Sequence, residues 1–246
     1  MEQSSYIFGI RSIIEAINAG KTIDKVFYLK GLKGDLYSEL NHIVRQNHIA
    51  TSYVPVEKLE KLSHFQNHQG VVARISPIDF IDLEHLISKS LESNDKALFL
   101  LLDHITDVRN FGAIIRTAEC TGVHGIIIPD SGNAPLNAAT IKTSAGAAFK
   151  VPIAKVNHIK DAVFHLQSVG IKVIAATEKT NNSIYDISFL GPTAILMGSE
   201  DRGVNPSVLK IVDSKAKLPL LGSIESLNVS VACGAMLYEV VRQREQ

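Results

Sequence analysis

The stretch LPLLGSIESLNVSVACGAMLYEVV, residues 218–241, organises the rest of this chain. It begins with the apolar run Leu218 to Leu221, which predicts a short strand that ends at Gly222. A polar turn then leads into a helix of small and apolar residues. Three polar side chains alternate where that helix begins: Ser226, Asn228 and Ser230. Because the first turn of a helix has unpaired N–H groups, these side chains are expected either to cap the helix or to hold an oxygen-rich ligand there.

Gly234 lies inside the same predicted helix, where glycine costs about 1 kcal/mol relative to alanine. Its neighbours Ala232, Cys233 and Ala235 are small as well. The run is therefore predicted to let another stretch of backbone approach closely.

The chain has the composition of an ordinary globular protein. It contains 246 residues, 46% of them hydrophobic and 20% charged, and its formal net charge is zero,. This length accommodates one large or two modest domains. Zero net charge argues against nonspecific binding of nucleic acid, which depends on many lysine and arginine contacts to phosphate. No apolar run reaches the roughly 18 to 20 residues that cross a bilayer, and the N-terminus lacks a signal-peptide pattern, so we expect a cytoplasmic protein without membrane contact.

Neither a disulfide nor a metal site is predicted. Cys120 and Cys233 lie in apolar helical settings without CxxC spacing, so both are expected to be buried, reduced thiols,. His64 and His68 are spaced like a helical metal pair, but no carboxylate or cysteine follows at ligand spacing,.

Hydrophobic periodicity predicts two α/β parts joined by a linker. Residues 1–76 alternate helical and strand patterns, and Ser12 to Glu15 has the sequence of a capping box,. Residues 77–96 are predicted as the linker because they contain a proline, a charged amphipathic piece and a polar run. Residues 97–246 follow the β-α-β pattern of a covered parallel sheet. Its predicted strands are Ala97–Leu102, Gly125–Ile128, Lys172–Ala176, Thr193–Met197 and Ala216–Leu220, with the clearest helices at Asn110–Cys120 and His158–Ser168.

Ligands of such sheets bind outside the carboxyl ends of the strands. In this sequence those ends carry Asp103, Thr177, Gly198 and Leu220. The loop Gly198 to Gly203 has the glycine spacing of a phosphate-binding P-loop, but the lysine and the Ser/Thr that would hold phosphate and magnesium are missing,. No GxGxxG follows a predicted strand either, which argues against a dinucleotide site.

Arg116 lies in a predicted helix between apolar residues. Its guanidinium is always charged and forks well onto phosphate. The alternative is an ordinary surface ion pair with Glu119.

Three segments together resemble, in order and spacing, the signature motifs of the SpoU family of RNA ribose 2′-O-methyltransferases. They are NFGAIIRTAE at 110–119, MGSEDRGV at 197–204 and LPLLGSIESLNVSVA at 218–232. The N-terminal part, with FQNHQG at 65–70, resembles the L30e-like substrate-binding domain of that family. Length, domain order and the His-Gln-Gly step are most similar to members that methylate a guanosine of 23S ribosomal RNA. Val108 is a departure, because many members have proline before the motif asparagine.

The resemblance implies a trefoil-knotted (SPOUT) α/β domain, in which the C-terminal segment threads a loop of earlier chain. It also implies a homodimer whose active site is completed across the interface, with ribosomal RNA as partner. S-adenosylmethionine would be the methyl donor, and no metal is needed. The residues that the resemblance assigns to the donor are Thr177, Gly198, Leu218, Leu220, Leu227 and Ser230.

The catalytic residues implied by the resemblance are Arg116, Asn110, Glu200, Asn228 and Ser226. Methyl transfer to a ribose hydroxyl requires orientation and removal of a proton, and a guanidinium is a poor general base. We therefore expect Arg116 to clamp the phosphate beside the target ribose, so that this phosphate or a water accepts the proton. Asn110 and Glu200 are expected to hold the arginine. His68, Gln69 and Arg116 are expected to contact RNA.

Three other functions remain open. A tRNA ribose 2′-O-methyltransferase would share the motifs, although such enzymes usually lack a separate N-terminal domain. A non-catalytic ribosomal RNA-binding protein would have no affinity for S-adenosylmethionine. A nicotinamide-dependent oxidoreductase is disfavoured because the glycine fingerprint is missing.

Overall fold

The computed structural model describes residues 6–224 and 226–245. The chain divides after Asp79 into two compact units, residues 1–79 and 80–246.

The first unit is a four-stranded sheet with three helices. Its elements are β1 (Tyr6–Phe8), α1 (Ile10–Asn18), β2 (Ile23–Leu29), α2 (Asp35–Gln46), β3 (Thr51–Val54), α3 (Val56–Leu62) and β4 (Val71–Ile75). The strand order is β1-β4-β2-β3, with only the β2–β3 pair parallel. Ile13, Val26 and Leu40 are fully buried in its main core. This unit is the small α/β domain that the alternating sequence pattern predicts.

Helix α1 begins earlier than the predicted capping box. The chain turns at Gly9, whose φ is 86°, and the helix starts at Ile10 without a side-chain cap from Gly9. Instead, the Gln69 side-chain oxygen accepts a hydrogen bond from Ile10 N at 3.1 Å. The capping box at Ser12 was wrong because the glycine turn starts the helix first and a residue distant in sequence satisfies its N-terminus.

Most of the segment predicted as a linker, from Phe80 onward, is folded into the second unit. Residues Leu83–Ser93 form α4, which Asp82 caps by accepting from His85 N at 3.0 Å. Leu86 and Ile87 are buried in the second core. The amphipathic pattern at 77–96 therefore marks a helix that packs one face against the sheet.

The second unit contains a six-stranded, entirely parallel sheet. Its strands are β5 (Leu98–Leu102), β6 (Gly125–Pro129), β7 (Ile153–Val156), β8 (Lys172–Ala176), β9 (Thr193–Met197) and β10 (Ser214–Ala216). Its remaining helices are α5 (Val108–Cys120), α6 (Ala138–Thr143), α7 (Ile159–Ser168), α8 (Pro206–Leu209) and α9 (Val229–Arg244). The strand order is β10-β8-β9-β5-β6-β7. The central strands β5 and β9 are buried at every residue, as expected for a sheet covered on both faces,.

The apolar run Leu218 to Leu221 is not a strand. β10 ends at Ala216, and Lys217 N then donates to Asn182 O at 3.0 Å. Leu221 is 99% exposed. The prediction failed because β10 already forms the edge of the sheet beside β8, and the run that follows has no strand to pair with. Leu220 therefore does not lie at the carboxyl end of a strand.

Helix α9 is capped by one of the three polar residues that precede it. The Asn228 side-chain oxygen accepts hydrogen bonds from Ser230 N and Val231 N,. Gly234, in contrast, has no tight neighbour in the described chain, because an added Cβ would meet Thr117 Cγ2 at an ordinary 3.8 Å. A close approach of backbone occurs instead at Gly112, where a Cβ would lie 3.1 Å from Ser144 N.

The two cysteines differ in environment. Cys233 is fully buried, and burial raises the pKa of its thiol to about 12, whereas Cys120 is exposed, contrary to the prediction.

Within residues 6–224 and 226–245, no group of three or more His, Cys, Asp or Glu side chains could hold a metal ion. The same residues contain no helix with the length and apolarity that a membrane span requires.

Arg244 anchors the C-terminal end of α9 to the segments that precede strands β5 and β9. Its guanidinium donates to the carbonyl oxygens of Phe189 and Gly191, each at 2.9 Å, and to that of Lys96. Burial lowers the pKa of Arg244.

We expect Arg244→Ala to lower the free energy of unfolding by about 2–4 kcal/mol, because three carbonyl groups lose a charged donor. Urea unfolding followed by circular dichroism measures the change. Arg109→Ala is the matched control, since the Arg109 side chain is exposed and has no hydrogen bond or ion pair to any described residue. Equal losses in the two variants would contradict the assigned role of Arg244.

Candidate active site

Three side chains from distant parts of the sequence meet at the first turns of α5 and α9. Asn110 Nδ2 donates a hydrogen bond to Glu200 Oε1. Asn228 Nδ2 donates to Asn110 Oδ1 at 3.1 Å and to Glu200 Oε1 at 3.2 Å. We call these three residues the Asn–Glu–Asn cluster. It brings together one residue from each of the three sequence motifs.

Helix caps position both asparagines of the cluster. Asp107 Oδ1 accepts from Arg109 N at 2.8 Å and from Asn110 N at 2.9 Å, so α5 starts at Val108. The valine that replaces the usual proline therefore leaves the helix start intact. Asn228 uses its oxygen to cap α9 and its amide nitrogen to join the cluster,.

The third member, Glu200, lies on a loop that folds back tightly after β9. Gly203 N donates to Ser199 O at 2.8 Å, and Arg202 N donates to Ser199 Oγ at 3.2 Å. A Cβ at Gly198 would lie 2.1 Å from both Gly203 C and Val204 N. Only glycine fits where the end of β9 contacts the returning loop.

Arg116 lies nearly two helical turns after Asn110 and is exposed,. Its side chain has no hydrogen bond or ion pair to any residue that the structure describes. Glu119 pairs with Lys150 at 2.9 Å, so the alternative surface pair with Arg116 is not formed. Asn110 and Glu200 do not hold the arginine, contrary to the prediction, because they bond to each other and to Asn228. The guanidinium is left available for a ligand.

Thr177 and Gly198 lie at the same edge of the sheet, since they follow the neighbouring parallel strands β8 and β9. Thr177 is buried, its N–H donates to Ala216 O at 2.9 Å, and its hydroxyl accepts from Lys179 N. Ser230 donates its hydroxyl to Asn228 Oδ1 at 2.6 Å. Ser226 is exposed and makes no hydrogen bond to the described residues.

The segment between β10 and α9 offers its main chain to a ligand. The peptide groups of residues 218–224, 226 and 227 neither donate nor accept a hydrogen bond within the described chain. Leu220 and Leu227 are 39% and 44% exposed, and Leu218 is half-buried. Unpaired peptide groups beside exposed apolar side chains suit a ligand with both polar and apolar parts.

A separate cleft of about 510 Å³ opens at the carboxyl ends of β5, β6 and β7. Asp103 lines it, with its carboxylate 2.6 Å from His104 Nδ1, and also accepts from Asn205 N at 3.4 Å. The strand end at Asp103 thus belongs to a different site from the Asn–Glu–Asn cluster, none of whose members lines this cleft. The sequence placed Asp103 at a ligand-binding end of the sheet but did not indicate that it belongs to a second site.

His68 and Gln69 belong to the first unit. His68 Nδ1 accepts from Gly70 N at 3.0 Å, and Gln69 Oε1 accepts from Ile10 N. One polar atom of each side chain is therefore engaged inside the unit, so RNA contact by these residues stays a prediction.

The sequence is similar to two known families of domain. Residues 97–238 match the SpoU rRNA methylase family, and residues 6–80 match the RNA 2′-O ribose methyltransferase substrate-binding family. This chain belongs to the SpoU rRNA methylase family. The predicted family and the α/β fold with a parallel sheet and an N-terminal substrate-binding domain are confirmed.

Individual relatives of this SpoU chain match almost its whole length. YacO of Bacillus subtilis, placed in the TrmH family of tRNA/rRNA methyltransferases, is 31% identical over 99% of this chain and 97% of its own. The 23S rRNA (guanosine-2′-O-)-methyltransferase RlmB of Vibrio vulnificus is 31% identical over 98% of each chain. The crystal structure of the SpoU methyltransferase AviRb from Streptomyces viridochromogenes, in complex with the cofactor AdoMet, is 27% identical with a TM-score of 0.61. That alignment covers 98% of this chain and 90% of AviRb.

Proposed function

We propose that this SpoU protein transfers a methyl group from S-adenosylmethionine to the ribose 2′-hydroxyl of a guanosine in 23S ribosomal RNA. The observation that carries the proposal is the exposed Arg116 guanidinium, which has no partner among the described residues and lies on the same helix as Asn110. Similarity to RlmB over nearly the whole of both chains supports ribosomal RNA as the substrate.

The residues around the unpaired main chain fit the methyl donor. S-adenosylmethionine carries polar groups that peptide N–H and C=O groups can bind, and an adenine ring that apolar side chains can cover. The main chain of residues 218–224, 226 and 227 supplies the peptide groups, and Leu220 and Leu227 supply the apolar side chains. When bound, the donor supplies an electrophilic methyl group on a sulfonium sulfur. Thr177 and Gly198 would line the same site, where strands β8 and β9 end.

Arg116 orients the RNA for the reaction. Its fork of donors binds the phosphate beside the target ribose and thereby positions the 2′-oxygen. Because a guanidinium keeps its protons at neutral pH, the hydroxyl proton passes to that phosphate or to a water. The Asn–Glu–Asn cluster holds the start of α5 against the start of α9, so the arginine is carried by a fixed helix.

Exposed apolar residues on α9 support a homodimer. Val231, Ala235 and Tyr238 recur at helical spacing and are exposed, with Val231 57% and Tyr238 56% exposed. A soluble protein rarely leaves such a stripe uncovered. A second copy would cover it, in keeping with the dimer that the family resemblance implies. A cytoplasmic location and a trefoil knot belong to the same proposal, and they follow from the family resemblance.

The proposal is tested by incubating the purified chain with radiolabelled S-adenosylmethionine and either 23S ribosomal RNA or bulk tRNA, followed by mapping of 2′-O-methyl groups. We expect label on one guanosine of 23S ribosomal RNA. Label on neither RNA, with no donor binding by calorimetry, would leave a non-catalytic RNA-binding protein as the better function.

A tRNA methyltransferase is the second candidate, and the family name of YacO, which covers tRNA as well as rRNA, favours it. Label confined to one tRNA position would establish this function in place of the ribosomal one.

We expect Asn228→Asp to separate the two roles of this side chain. An aspartate retains the oxygen that caps α9, but it replaces the amide donor by a carboxylate beside Glu200, where like charges repel. The methyl-transfer rate should fall about 10- to 100-fold through misplacement of the cluster, while the circular dichroism of the protein is unchanged. Asn228→Ala, which removes both roles, should also lower the melting temperature. A wild-type rate in Asn228→Asp would show that catalysis does not need the cluster.

A further inference from the structure

The loop after α3 presents an aromatic side chain to solvent. Phe65 is 77% exposed, more than Phe149 at 64% or Phe164 at 53%. The nearby apolar residues Leu59 and Leu62 pack into a core of the first unit, but Phe65 does not. An aromatic side chain stabilises a fold by being buried, so the exposed ring of Phe65 contributes little to folding at this position.

The backbone conformation at Phe65 is unfavourable for a bulky residue. His64 and Phe65 both have positive φ angles, of 53° and 60°. Residues other than glycine, asparagine, aspartate and histidine rarely adopt this left-handed region, and bulky ones such as phenylalanine least of all. Residues kept in such conformations concentrate at binding and catalytic sites.

The loop is nevertheless held firmly. Phe65 N donates to Glu60 O at 2.7 Å, and Gln66 N donates to Ser63 O at 3.2 Å. The buried Ser63 hydroxyl lies within hydrogen-bonding distance of the carbonyl oxygens of Glu60 and Gln66, at 3.2 and 3.1 Å. These bonds fix the backbone that carries the ring, although the ring itself is uncovered.

We propose that Phe65 is a stacking platform for an unpaired base of the RNA that this SpoU protein methylates. The inference rests on the proposed function and deepens it. Residues 6–80 match a substrate-binding domain family, and proteins recognise single-stranded RNA mainly by stacking its splayed bases on aromatic rings,. The exposed amides of Gln66 and Asn67 follow directly in sequence and can bind base edges, and the exposed Lys61 precedes the loop and can bind phosphate,.

The test compares substitutions at Phe65 in the full-length protein, with binding of a 23S ribosomal RNA fragment measured at fixed salt. Phe65→Leu should weaken RNA binding about 5- to 100-fold, and Phe65→Trp should retain it. KM for RNA should rise while kcat and the affinity for S-adenosylmethionine stay unchanged. Phe164→Leu is the matched control, since it removes an exposed aromatic ring from α7 in the second unit.

Phe65→Asn separates the proposal from a folding effect. Asparagine tolerates a positive φ, so this variant should melt no lower than the wild type and still bind RNA more weakly. Abasic substitutions placed one at a time along the RNA fragment should include one position at which the difference between wild type and Phe65→Leu disappears, since the two changes then remove the same contact.

The outcomes are distinguishable. Unchanged RNA affinity in both Phe65→Leu and Phe65→Asn, with a wild type that methylates RNA, would overturn the role of Phe65 and leave the proposed function standing. If light scattering showed that Phe65→Leu dissociates a dimer without changing RNA affinity, Phe65 would be a contact between copies, and the proposal would be overturned. A wild type that neither binds nor methylates RNA would reject the proposed function itself.

Discussion

Arg116→Lys is expected to lower the rate of methyl transfer at saturating donor and RNA by about 100-fold or more, the usual cost of removing one preorganised charged donor from an active site. Lysine keeps the positive charge but loses the planar fork that binds a phosphate through two parallel hydrogen bonds. The Arg116 side chain is exposed and has no partner in the described chain, so its loss should leave the fold and the affinity for S-adenosylmethionine unchanged.

Single-turnover kinetics with labelled donor would measure this effect, with calorimetry as the check on donor binding. Arg242→Lys serves as the control. Arg242 is an exposed arginine that pairs with Glu239 near the C-terminal end of α9, away from the Asn–Glu–Asn cluster at the start of that helix. A near-wild-type rate in Arg116→Lys would reject the bidentate clamp and leave a simple electrostatic role for residue 116.

Gly198→Ala is expected to destabilise the second unit by about 3 kcal/mol or more and to weaken donor binding more than tenfold. The added methyl group would lie 2.1 Å from two backbone atoms, Gly203 C and Val204 N. Backbone cannot rotate away as a side chain can, so the loop that carries Glu200 must move.

Thermal unfolding and calorimetric titration with S-adenosylmethionine measure the two effects. Gly191→Ala is the matched control just before the same strand, β9. An added Cβ there has no atom within 4 Å, and its backbone does not require glycine, so this variant should be neutral or more stable by about 0.4–1 kcal/mol,. If Gly198→Ala folded and bound the donor like the control, the close passage of backbone at Gly198 would be wrong.

These predictions depend on an arrangement in which structure and catalysis share residues. Asn228 caps a helix with one atom and joins the Asn–Glu–Asn cluster with another. Gly198 ends a central strand and at the same time admits the returning loop. Substitutions that remove both roles, such as Asn228→Ala, change stability and activity together, whereas Arg116 and Phe65 are exposed and their substitution should change function alone.

Local sequence pattern determined the elements that are buried on both faces. β8 and β9 have the predicted bounds, Lys172–Ala176 and Thr193–Met197, because a short apolar run that follows a turn signal such as Gly170 or Gly191-Pro192 has few alternatives to a covered strand,. The three motifs likewise identified the family and the residues of the cluster, since their order and spacing are visible without coordinates.

The same reasoning failed at two segments that contain apolar residues. Leu218 to Leu221 reads as a strand, yet Leu221 is almost wholly exposed. The amphipathic stretch at 77–96 reads as a linker, yet it holds a core helix. Apolarity indicates that a residue avoids water, but it does not say whether the neighbour that covers it is the core or a ligand.

By itself, the sequence determined the family, the two α/β parts and the central strands of the parallel sheet, all of which depend on short-range order. Only the tertiary structure decided the partners: Gln69 caps a helix that begins 59 residues earlier, and Asn228 bonds to Asn110 across 118 residues. It also decided that Asn110 and Glu200 bind each other and Asn228, so that Arg116 has no partner in the part of the chain that the structure describes. Periodicity arises from the geometry of a single helix or strand. Contacts between distant residues exist only after the chain has packed and each polar group has bonded to one of its possible partners.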